Sequence, residues 1–196
     1  MIVTAEEVNR SFRGAVDLLN RRVEGLEAFD MSETGFWRSF AAIWLTLPAY
    51  VVSLAFERRR LGLAEPGASL LDPVWLDIVV ALAHVASFVA LPLAMIVVAR
   101  RLGLTRAYAP FVIVTNWINV GGLLVLSLPA TLLLLGLAPP SLASLFTLAF
   151  AIVILRLQWF ATKVTLRVSG SLAAAVVGLG ILLDAGIGAA MHALTG

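Results

Sequence analysis

Two ionisable side chains lie inside the last two long apolar runs of the chain: Arg156 in SLFTLAFAIVILRLQWFATKV and Asp184 in SLAAAVVGLGILLDAGIGAAM. A charge held at bilayer depth is costly, so it is paired, hydrated or functional. Earlier apolar runs add Asp77, His84, Asn116 and Asn119, a set able to bond one another across a bundle or to carry protons or a small solute. At 1.5 Å per residue, Asp184 lies roughly 20 Å from the start of its run, and His84 falls near the same level. A His84–Asp184 pair would satisfy both groups, either as a buried hydrogen bond that fixes helix order or as a proton-responsive element. Arg156 lies roughly 10 Å from the end of its own run. There it can meet Asn116 or Asn119, with Gln158 nearby, or extend its long stem toward lipid headgroups. Asp77, in the first turns of its run, complements a helix dipole.

Other chemistry finds little material. There is no HExxH, GxSxG, Walker or dinucleotide pattern, and Ser169–Gly170–Ser171 reads as a linker. With no Cys and only 2 His, no metal site, thiol nucleophile or cofactor is expected. Thirteen of the 14 basic residues are Arg, but they form no dense patch with aromatics, so nucleic acid is not an expected partner. The chain reads as non-enzymatic.

The elements that carry these residues are membrane helices. Of 196 residues, 61% are hydrophobic and 13% charged, against roughly a quarter charged in soluble domains. Five apolar runs, about 36–56, 73–99, 108–135, 141–164 and 171–193, each approach the ~20 residues that cross a hydrocarbon core. The expected fold is an all-α polytopic bundle of five transmembrane helices over 36–196, preceded by an amphipathic segment over 1–35. Pro48, Pro92, Pro110 and Pro129 predict kinks. The 57–72 connection, with Gly62, Pro66 and Gly67, reads as irregular, and Pro139–Pro140 as a tight turn. No signal peptide precedes the first run.

Residues 4–28 read as one amphipathic helix. Thr4 and Glu7 fit a capping box, and Val8, Phe12, Val16, Leu19, Val23 and Leu26 form one stripe. With the N-terminus inside, ten basic residues fall on the cytoplasmic side and three, Arg58 to Arg60, outside. The positive-inside rule therefore favours a cytoplasmic N-terminus and a periplasmic C-terminus. Arg100, Arg101, Arg106, Lys163 and Arg167 then make a basic rim, able to hold lipid headgroups or to receive the acidic N-terminal segment.

The segments SETGFWRSFAAIWLTLPAY and ALPLAMIVVARRLGL, within residues 32–193, resemble the Yip1-like group of five-span membrane proteins. The chain is also similar to uncharacterised alphaproteobacterial inner-membrane proteins, which implies a bacterial inner membrane. The DLYGP-type motif of eukaryotic Yip1-like members is absent, so their GTPase partners are not implied. A thin bundle with small-residue pairs such as Ala174/Gly178 and Gly186/Ala190 predicts a homo-oligomer or membrane-protein complex in the lipid bilayer. Two functional readings follow: a protein that organises lipid or protein partners, and a small-solute or proton-coupled transporter.

Overall fold

A computed structural model describes residues 3–61 and 74–195, without the side chain of Arg60. Of the irregular connection expected over 57–72, residues 57–60 instead continue α3, and the part with Gly62, Pro66 and Gly67 lies outside the described residues. The bundle is all-α. Helix α1 (Ala5–Leu19) is followed by a 3-10 turn (Val23–Ala28), α2 (Glu33–Ala41), a second 3-10 turn (Ala42–Thr46) and α3 (Leu47–Arg60). Four long helices complete it: α4 (Val74–Arg101), α5 (Thr105–Leu134), α6 (Pro140–Leu166) and α7 (Gly170–Thr195).

Five helical stretches are long and apolar enough to cross a membrane: Glu33–Arg59, which joins α2 and α3, and each of α4 to α7. Hydropathy predicts them well because, with no water to satisfy the backbone, each spanning helix must bond its own amides and hide them behind apolar side chains. The proline effect is uneven. Around Pro48 the span changes to 3-10 over Ala42–Thr46 and restarts with Pro48 in the first turn of α3, where a missing N–H costs nothing. Helices α4 and α5 run on through Pro92, Pro110 and Pro129.

Helix α5 is the central post. Phe111 to Ile118 are all buried, because α1, α2, α3, α4 and α6 all pack around it. The α5–α6 contact is the most extensive in the bundle, and the Ile154 side chain seats over Gly122, where an added Cβ would meet it at 3.3 Å. Helix α7, rich in Ala and Gly, packs on α4 and α6 rather than on α5. A gap is left between α5 and α7. Arg100, Arg101, Arg106, Lys163 and Arg167, all exposed, make up the basic end of the bundle. At the other, Arg58 of α3 meets Asp77 of α4 at 2.7 Å, neutralising one of the cations in the ERRR run.

The N-terminal segment departs from the single helix expected over 4–28. Helix α1 stops at Leu19, Arg21 takes a left-handed conformation (φ 61), and the chain doubles back as a 3-10 turn against α1. Two glycines permit the hairpin: a Cβ on Gly14 would lie 2.7 Å from the Gly25 carbonyl oxygen, and one on Gly25 would lie 2.6 Å from that of Gly14. The stripe is rotated as well. Glu7, Ser11, Gly14 and Leu18 form the buried face, while Val16 and Val23 are 56% and 48% exposed. Half of the expected capping box forms, with Glu7 N–H donating to Thr4 Oγ1 at 3.2 Å. The Glu7 carboxylate turns instead to Arg38 Nε at 3.3 Å.

Arg38 also bonds Asp30, so the acidic segment is pinned by a cation of α2. No ion pair among the described residues joins it to the basic rim. The Ser32 hydroxyl and amide, and then Arg38, stabilise the Asp30 carboxylate and hold its pKa below the ordinary value. A depressed folded pKa means that the stabilisation is fully present above the ordinary carboxylate value and is lost as pH falls through the lowered one. Protection of the Phe29–Gly35 amides should therefore persist through the ordinary carboxylate range and fail only below it. Hydrogen exchange against pH, compared with Asp30→Asn, checks this. Loss of protection at the ordinary value would refute it.

Candidate functional site

Each polar group inside the bundle is placed by the helix that carries it. Thr46 closes the 3-10 turn of the first span and donates its hydroxyl proton to Ile43 O at 2.6 Å. Its oxygen can then only accept from His84 Nε2, 2.7 Å away. Nε2 is consequently the protonated nitrogen of His84, and Nδ1 is left as an acceptor when the ring is neutral. Tyr50 stands edge-on to the same ring at 5.6 Å. One level nearer the basic end, Asn116 Nδ2 donates to Ser39 Oγ at 3.0 Å, fully buried, and locks α2 to α5. Gln158 Nε2 donates to Asn119 Oδ1 at 3.0 Å and joins α6 to α5.

Two expected pairings are replaced. His84 takes Thr46 in place of Asp184. Arg156 takes neither asparagine: it is exposed, and Nη2 donates to Leu19 O, in the last turn of α1, at 3.3 Å. A guanidinium at that carbonyl suits the negative end of the α1 dipole. This partner was not legible while the N-terminal helix was read through to residue 28, since the freed carbonyl exists only where α1 ends. Asp77 takes Arg58 rather than acting on its helix dipole alone. Lys163 lies over the Trp159 ring at 5.6 Å.

Asp184 faces the gap between α5 and α7. It stands on α7 with the Ser87 hydroxyl of α4 as its polar neighbour, and its side chain stays open. By helix rise it is ~21 Å from the start of α7 and ~16 Å from its end, near the middle of the span. Three cavities meet there. The largest, about 770 Å³, runs toward the end opposite the basic rim between Ser53, Glu57, His84, Ser127, Thr147 and Met191. A second, about 220 Å³, extends toward the basic end past Thr115, Asn119, Gln158 and Thr162. A third, about 130 Å³, sits between them. Asp184 and Ser87 line all three. His84 and Asp184 therefore share the large cavity without pairing. Among the described residues, no Lys or Arg lines any of the three, and no group of His and carboxylates able to hold a metal occurs.

These features define a polytopic membrane helix bundle with a largely apolar cavity that meets Asp184 at mid-span. Comparison with protein-family models, with curated proteins and with solved structures found no match.

Proposed function

We propose that this protein is a non-enzymatic membrane transporter that moves protons or a small cationic solute, with Asp184 as its central site. The observation that carries the reading is the meeting of three cavities at Asp184, one directed to each end of the bundle and one between. An acidic group at mid-depth, with no basic residue along its approaches among the described residues, favours cations over anions. His84 and Ser87 stand beside the route, and Asn119 and Gln158 line its other half. The arginine balance supports a cytoplasmic N-terminus in a bacterial inner membrane, which makes the basic end cytoplasmic and the large cavity periplasmic.

The test is proton flux in liposomes with the membrane potential clamped. The wild type should dissipate a pH gradient, and Asp184→Asn should slow this by about tenfold or more. Equal rates for the two proteins, or a wild-type rate at the protein-free background, would overturn the reading.

A second reading, organisation of partners within the membrane, is favoured by a different observation. The N-terminal hairpin presents Arg10, Arg13, Arg21, Arg22, Glu24 and Glu27 outward while its other face is seated on α5 and α6. Such a face suits a polar partner or anionic headgroups. The five exposed rim cations, Arg100, Arg101, Arg106, Lys163 and Arg167, extend it. The likeness to Yip1-like proteins supports this alternative.

A further inference from the structure

We propose that the large cavity binds a hydrophobic ammonium ion, a ligand with a compact apolar body and a charged N–H group. The inference rests on the transporter reading and specifies its ligand. The cavity, about 770 Å³, falls within the ~300–1,000 Å³ of small-molecule sites. Most of its wall is aliphatic, formed where α7 stands away from α5.

Three of its hydroxyls and its histidine are biased to one role. Ser53 donates its only hydroxyl proton to Ala49 O at 3.1 Å, Ser127 to Leu124 O at 2.8 Å, and Thr147 to Ala143 O at 2.9 Å. Each hydroxyl has thus used its donor on its own helix, leaving oxygen lone pairs for a guest. His84 has likewise committed Nε2–H to Thr46. Asp184, at the inner limit of the cavity, adds a carboxyl with no cationic partner among the described residues. A site made of acceptors and a carboxyl between apolar walls recognises a donor that carries positive charge. In a water-poor setting that contact is a charge-assisted hydrogen bond. A neutral alcohol of the same shape would forgo the charge term, and an anion would be repelled by the carboxylate.

The experiment uses tritiated 1-adamantylammonium and the full chain purified in detergent, with protein-free micelles as blank. Saturable binding is expected. Unlabelled 1-adamantanol, the neutral isostere, should compete about tenfold or more weakly than the unlabelled amine. Asp184→Asn should weaken binding by a similar factor. Ala151→Phe, which fills the cavity from α6 without touching a charge, should also weaken it, whereas Leu182→Phe on the exposed face of α7 should not. Binding that is unsaturable, indifferent to the amine's charge, or equal in wild type and Asp184→Asn would overturn the proposal. Ammonium binding without Asp184-dependent flux would leave the site standing and remove the transport reading. Asp184-dependent proton flux without ammonium binding would do the reverse.

Discussion

Arg38→Leu is expected to unseat the N-terminal hairpin at a cost of about 3 kcal/mol, the lower end of the range for breaking a buried ion pair. Glu7 is 4% exposed, and Arg38 and Asp30 are each 23% exposed. The carboxylate oxygens of Glu7 have no hydrogen bond and depend on the guanidinium for compensation. Removing Arg38 leaves that charge buried and alone, and the simplest relief is to lift α1 from α5 and α6. A cost of this size shifts the opening equilibrium by about a hundredfold. Trypsin then reaches Arg10, Arg13, Arg21 and Arg22 correspondingly faster. The double variant Glu7→Leu with Arg38→Leu should recover much of the protection, because replacing both charges removes the orphan. Cleavage of Arg38→Leu at the wild-type rate would show that the pair does not hold the hairpin.

Trp117→Ala is expected to cost about 4 kcal/mol of bundle stability, within the range for deleting a large buried ring. Trp117 is 1% exposed and clusters with Leu18, Phe29, Ile113 and Ala161, which brings the hairpin, α5 and α6 together. Phe12 meets its ring in a T-shaped contact at 6.3 Å. Deleting the indole removes these contacts and leaves a void that its packed neighbours fill only in part. Thermal unfolding in detergent should show a clear loss for Trp117→Ala and a smaller one for Trp117→Phe. A Trp117→Ala protein that melts with the wild type would contradict this packing role.

The limits of sequence reasoning show in particular residues. The apolar periodicity of 4–28 ran straight through Gly25, although Gly14 and Gly25 permit the reversal. That pair of glycines was the available signal, but a glycine alone does not say which backbone will approach it. A capping box is a local pattern and points Glu7 to its own helix N-terminus; its partner Arg38 lies on another helix. His84 and Asp184 were matched by depth, and they do line one cavity, but Thr46 reaches His84 first because the 3-10 turn before Pro48 brings its hydroxyl within 2.7 Å.

Hydropathy and chain length alone settled the all-α bundle and its five long apolar helices, since each helix meets its own backbone and solvation requirements without reference to its neighbours. Tertiary packing decided which polar groups meet. A shift of one helix by a turn, or its rotation by one residue, exchanges every partner while leaving hydropathy unchanged. Helix α7 packs on α4 and α6 rather than on α5, and that separation, invisible in either segment by itself, gives Asp184 its cavity.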